Sequence, residues 1–239
     1  MSHFRTQFAN GHVVLPVIHV KNQQQAEANA HIAYEAEADG VFLINHETDG
    51  GHPLDYRALL GIHGRLTAVF PDWWIGVNCL DLTALETFSA VGNQVAGVWV
   101  DNAGIDEQRK AQPEAEQILT AQRRAGWNGL YFGGVAFKYQ RSVVEVAMAA
   151  KLAMGYMDVV TTSGAGTGKE ADVSKIRAMK TAVGDFPLAI ASGITPENVA
   201  QYMPYVDCFL VATGISHSFY QFDPKRVKEL VVRVRELAK

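Results

Sequence analysis

Residues 158–216 read DVVTTSGAGTGKEADVSKIRAMKTAVGDFPLAIASGITPENVAQYMPYVDCFLVATGIS. Short apolar runs at 158–163, 187–193 and 208–214 are separated by helix-length amphipathic segments at 171–183 and 196–203. That order predicts parallel strands joined by crossover helices, because a strand buried on both faces reads as a continuous apolar run. The alternation continues outward. Strands are predicted at 13–20, 40–47, 74–80, 97–102 and 129–138, and helices at 23–38, 54–70, 83–91, 113–125, 142–154 and 224–237. Eight strand–helix units predict an α/β fold, a (β/α)8 TIM barrel. A doubly wound open sheet is the rival, but it usually has fewer units and a different nucleotide-binding turn.

Local chemistry agrees. Thr195-Pro196 and Asp223-Pro224 each place a capping side chain before a proline at the first helical position. Gly126, Gly155 and Gly184 end helical runs, as left-handed caps do. Gly133-Gly134 in the fifth strand predicts a bulge. No linker or low-complexity segment divides the chain, so residues 1–239 read as a single TIM-barrel domain. The first dozen residues are expected to lie across the barrel bottom. Trp73, Trp74, Met148, Met154 and Met157 read as packing residues.

Hydrophobic residues make up 48% of the chain and charged residues 19%, which supports one large core and excludes global disorder. With 21 basic and 25 acidic residues the net charge is −4, which argues against a nucleic-acid partner, since that affinity rests on neutralising phosphates. One phosphate group in a pocket is compatible with it. Cys79 and Cys208 lie in apolar runs and read as buried free thiols. His46-Glu47, with Asp49 and His52, matches no strong metal signature, and strand alternation turns His46 and Glu47 to opposite faces. No metal or other cofactor is expected. No run approaches the ~18 apolar residues of a membrane span. The expectation is a cytoplasmic protein, with a homo-oligomer left open.

In a TIM barrel the chemistry sits at the C-terminal ends of the strands. The polar residues there include His19, Asn45, His46, Glu47, Asn78, Asp81, Asp101, Asn102, Lys138, Ser163, Ser192, Thr213, Ser216 and His217. A solvated strand end is also polar, so the complete ring carries more weight than any member. Asp101, preceded by the apolar run Gly-Val-Trp-Val, is the acid/base candidate, because apolar surroundings raise a carboxyl pKa. Lys138 is placed to stabilise developing negative charge, or to form a Schiff base. Asn78 would orient the substrate, and Glu47 completes the catalytic candidates. Loops after strands seven and eight often hold phosphate on backbone N–H groups. That points to Ser192, Gly193, Ile194, Thr213, Gly214 and Ile215, with a short helix expected at 216–222. Residues 162–170 fail the P-loop pattern, since Ser163 stands where the first glycine belongs and Glu170 where Ser or Thr is needed. Ser163, Gly164, Thr167 and Gly168 instead predict a lid loop.

Residues 158–216 resemble the second half of BtpA/SgcQ-type proteins. The matching residues are Ser163, Gly164, Thr167 and Gly168, then Gly193, Thr195, Pro196, Glu197, Asn198 and Val199, then Thr213 and Gly214. Val17-Ile18-His19, Gly76-Val77-Asn78 and Lys138 also fit that family's strand ends. The chain departs from it with Val20-Lys21-Asn22, where a proline-rich stretch is common, and with His46-Glu47-Thr48, where Glu-Asn-Phe is common. The resemblance implies a barrel akin to the ribulose-phosphate-binding barrels. With the strand-end residues it points to either an isomerase, lyase or transferase acting on a phosphorylated small molecule, a sugar phosphate or nucleotide-like compound, or a non-catalytic assembly or stability factor with a vestigial ligand site.

Overall fold

The computed structural model describes residues 2–46 and 54–239. Eight parallel strands close into a barrel in chain order, with β8 pairing β1. They are β1 (Val13–His19), β2 (Gly40–Ile44), β3 (Trp74–Asn78), β4 (Gly97–Val100), β5 (Leu130–Gly134), β6 (Val159–Ser163), β7 (Leu188–Ala191) and β8 (Cys208–Val211). The helices are α1 (His3–Gln7), α2 (Gln23–Glu35), α3 (Tyr56–Val69), α4 (Ala84–Ala90), α5 (Pro113–Ala125), α6 (Val146–Ala153), α7 (Val173–Val183) and α8 (Pro224–Leu237). This is the TIM barrel read from the sequence. No helix among the described residues is long and apolar enough to cross a membrane.

Every residue of these eight strands is buried, which explains why they read as unbroken apolar runs. Alternation then splits them between two cores. Val13, Leu15, Val17, Phe42, Trp74, Trp99 and Phe132 fill the barrel interior, while Val14, Ile18, Val41 and Leu43 pack beneath the helices. Phe42 is central, with ring centroids 5.0 Å from Trp74 and 5.1 Å from Phe132. A Cβ on Gly97 would fall 2.2 Å from the Trp74 indole, so that glycine admits the ring. From α1, Phe4 is fully buried against Phe8 and Phe132, and Arg5 pairs with Asp207. The N-terminal residues thus seal the barrel bottom, as expected.

Several expectations are corrected. The helix at 196–203 is a single 3-10 turn, Val199–Gln201. Asn198 diverts the chain: its side chain accepts from Thr195 N–H at 2.8 Å and donates to Gly193 O at 2.7 Å, and Pro204 then forbids continuation. The short helix at 216–222 is instead an antiparallel pair, β9 (Ser216–Ser218) and β10 (Gln221–Phe222), after a 3-10 turn at Thr213–Ile215. Gly133-Gly134 makes no bulge; both pair in register, and a Cβ on Gly134 would stand 1.9 Å from Asp101 O. These glycines serve close approach. Gly126 is the predicted left-handed cap, with φ 62° and ψ 23°, whereas Met154, before Gly155, stays right-handed. Met148 is half exposed, not packed inside.

Candidate active site at the barrel mouth

Interior parity continues past the strand ends. His19 follows Val17, His46 follows Ile44 and Asp101 follows Trp99, each two residues on, so all three turn toward the barrel axis. They meet Lys138, Ser192 and Thr213 around a cavity of about 250 Å³ at the mouth. Trp99 also lines it, and its buried indole N–H has no acceptor among the described residues. Thr167 and Gly168 close one side. Of the predicted catalytic residues, Asp101 and Lys138 share this cavity. Asn78 stands behind Asp101, its Nδ2 donating to Oδ1 at 3.0 Å. Glu47, with Asp49 and His52, lies outside the described residues.

Burial sets the electrostatics. It pushes the Asp101 carboxyl up from its ordinary value, opposed by the Asn78 hydrogen bond and by Lys138. It pushes the Lys138 ammonium down, opposed by Asp101. A raised carboxyl and a lowered amine in one cavity are each moved toward neutral pH, the condition for proton exchange with a substrate. His19 is pushed down to about 4 by burial; its Nδ1–H donates to Phe219 O at 2.9 Å, and its ring stacks on Phe219 at 3.9 Å. It is therefore neutral over most of the working range. His46 is also lowered, first by burial and then by Lys138.

The lysine is aimed by a tightly turned loop. Ala136 (φ 47°) and Tyr139 (φ 62°) hold left-handed backbone on either side of it, a conformation non-glycine residues adopt at a cost. Lys138 N–H donates to Ser163 Oγ at 2.8 Å. Lys175, from α7, donates to Ala136 O at 2.6 Å and Ser163 O at 2.8 Å, and burial lowers it to about 8. Lys175 was not predicted, because nothing in the sequence of α7 separates it from a solvated helix lysine.

The predicted anion-binding segment carries left-handed backbone after β7. Ser192 (φ 104°) and Gly193 (φ 71°) form consecutive positive-φ positions after β7. The N–H groups of Gly193 and Ile194 have no acceptor among the described residues, whereas Ser192 follows the last β7–β8 pair, Ala191 with Leu210. Ile215 differs: its N–H donates to Ala212 O at 3.1 Å. Gly214 O accepts from Arg226 Nε at 2.9 Å, and the Arg226 fork grips Glu197. The loop 164–170 lies against these strand ends. Ser192 Oγ donates to Gly166 O at 3.0 Å, and a Cβ on Gly168 would stand 3.3 Å from Thr213 Oγ1.

The same barrel fold recurs in solved structures. Its structure matches (S)-3-O-geranylgeranylglyceryl phosphate synthase from Thermoplasma acidophilum with a TM-score of 0.65 and 16% identity, covering 99% of both chains. It matches phosphoribosyl anthranilate isomerase from Thermus thermophilus with a TM-score of 0.62 and 13% identity, covering 94% of this chain and 99% of that one. An uncharacterized protein of Methanocaldococcus jannaschii is 31% identical over 172 residues, 66% of this chain and 63% of that protein. An uncharacterized protein of Pyrococcus abyssi is 31% identical over 74 residues, 31% of this chain and 28% of that protein. The chain thus spans less than two thirds of the length of these relatives. The BtpA family model matches residues 73–236, well over half of the sequence, and the chain belongs to the BtpA family.

Proposed function

We propose that this protein is an enzyme that moves a proton within a phosphorylated small molecule held across the barrel mouth. The observation that carries the reading is Asp101 and Lys138 in one buried cavity, pushed in opposite directions by burial, beside the Gly193 and Ile194 N–H groups, which have no acceptor among the described residues. Those N–H groups, with Ser192, Gly193, Thr213 and Gly214, would hold the phosphate. Ile194 would add its N–H; Ile215 would contribute only through packing, its N–H being bonded already. Asp101 as carboxylate would take a proton from the hydroxyl-bearing carbon beside a carbonyl and return it to the former carbonyl carbon, while the hydroxyl proton passes to the former carbonyl oxygen, so that the carbonyl moves by one carbon. Lys138 as ammonium would stabilise the enolate oxygen formed between the two steps. Asn78 positions Asp101 for this. The loop Ser163–Gly168 would exclude water.

The solved barrels named above support the phosphate half of this reading, since one was determined with sn-glycerol-1-phosphate. Incubating the protein with a panel of aldose and ketose phosphates in deuterated water tests it. Nuclear magnetic resonance is expected to detect carbon-bound deuterium in at least one compound, and none with Asp101→Asn. A second reading, a non-catalytic assembly factor, is favoured by the exposed Tyr139, Val144 and Met148 near the mouth-side end of α6. Binding of a sugar phosphate without any exchange would select it.

A further inference from the structure

We propose that the cleft between the ends of β3 and β4 takes a heteroaromatic ring borne by the substrate, making that substrate a ring-substituted pentose phosphate of the nucleoside-monophosphate kind. This rests on the phosphate reading above and adds a second subsite to it. The mouth cavity, at about 250 Å³, is smaller than the roughly 300–1,000 Å³ usual for small-molecule sites. Beside it lies a cleft of about 400 Å³, and the two share Leu80 and Asp101. Asp101 therefore stands on the wall between them. A substrate reaching from one to the other presents its middle to that carboxyl.

The topology gives the span. In a barrel closed in chain order, β3 and β4 lie opposite β7 and β8. Eight strands ~4.8 Å apart and tilted ~36° make a ring about 15 Å across. A pentose phosphate anchored at β7–β8 occupies the centre of that distance. A substituent on its far carbon is the part that arrives at β3–β4.

The lining selects the substituent. Leu80, Leu82, Leu85 and Ile118 supply apolar walls, and Leu80 and Leu85 remain 39% and 38% exposed. Glu114 and Gln117, from the first turns of α5, face the same cleft, and their side chains have no hydrogen-bond partner among the described residues. Gly104 (φ 69°) packs directly under Glu114, where a Cβ would stand 2.7 Å from the Glu114 Cβ. The acidic side chain is thus seated on the β4 loop. A flat ring with edge N–H and acceptor nitrogens satisfies the leucines, the carboxylate and the amide together. An alkyl chain satisfies only the leucines and gains nothing from the exposed carboxylate and amide beside them.

Isothermal titration calorimetry with ribose 5-phosphate, AMP, CMP and octyl phosphate tests this. AMP or CMP is expected to bind at least tenfold tighter than ribose 5-phosphate. Gln117→Ala, on an exposed helix face, should cost the nucleotide about fivefold, one neutral hydrogen bond's worth. Ala84→Phe, which fills the cleft, should erase the advantage. Both variants should bind ribose 5-phosphate as the parent does. Nucleotides that gain nothing over ribose 5-phosphate, or an advantage that survives Ala84→Phe, overturn the ring site alone. Octyl phosphate binding tighter than both nucleotides also overturns it, in favour of an alkyl site. If none of the four compounds binds, the phosphate reading falls with it.

Discussion

Gly134→Ala probes how the barrel holds Asp101. The added Cβ would stand 1.9 Å from Asp101 O and 2.4 Å from its carbonyl carbon. Ordinary contact begins at 3.4 Å, so about 1.5 Å must be found. Both struck atoms are backbone, so no side chain can swing aside and the end of β4 must move away from β5. Overpacking of this kind costs about 1–3 kcal/mol, occasionally more. For a domain of this size each kcal/mol lowers Tm by roughly 2–4 °C. The same shift carries the Asp101 carboxyl with it, and a misplacement near 1 Å costs on the order of 100-fold in rate. Thermal melts followed by circular dichroism, with the deuterium-exchange rate, read both effects. Gly61→Ala is the control: it lies exposed within α3 with nothing within 4 Å of the added carbon, and should gain about 1 kcal/mol. A Gly134→Ala protein that melts with the parent and exchanges at the parent rate refutes the account.

Three further outcomes follow from the same geometry. Asp101→Asn should be at least as stable as the parent at neutral pH. The folded Asp101 carboxyl titrates above its unfolded value, so parent stability is fullest below the unfolded pKa and falls as pH rises toward the folded one. Urea unfolding across acid to neutral pH should show the variant gaining on the parent, and a constant gap would contradict the burial argument. Lys175→Met removes two charge-assisted bonds worth about 1.5–3 kcal/mol each, to Ala136 and Ser163, and should destabilise by a few kcal/mol. Because Lys175 is lowered to about 8, the unfolded chain holds its proton longer, so parent stability should rise above pH 8 toward the ordinary lysine value. Equal slopes for parent and variant would count against its burial. Gly193→Ala places a Cβ 2.4 Å from Lys169 O at φ 71°, so a side chain strikes the loop 164–170 before it can meet an anion. Limited proteolysis within that loop should quicken, and an unchanged cleavage rate would show that the loop does not rest there.

The barrel was legible because its strands are buried on both faces and its helices are not. Apolar runs such as Val13–His19 announce themselves without any partner. Asp101 was also readable, since it stands at a strand end directly after the apolar run Gly-Val-Trp-Val. What escaped depends on long-range geometry. The helix signal at Thr195-Pro196 is genuine chemistry, yet Asn198 spends both ends of its amide on Thr195 and Gly193, and Pro204 blocks the next turn. The segment Ser-His-Ser-Phe-Tyr-Gln-Phe, 216–222, holds one strong helix former, Gln221, and its aromatic residues suit the hairpin it forms. Lys175 and the β3–β4 cleft escaped because each is made by side chains from elements far apart in sequence.

The seam of the barrel has a consequence for how the chain is made. β1 pairs with β8, joining Val13–Pro16 to Cys208–Val211. Its other edge finds β2 early, but the seam edge waits for roughly 190 more residues. At about 5–20 residues per second, ribosomal synthesis leaves that edge open for on the order of 10–40 s. β1 is apolar on both faces, and an unpaired apolar edge is a template for pairing with the wrong strand. The seam is thus where a nascent chain is most exposed to misassembly, and slow translation between strands one and eight lengthens that exposure.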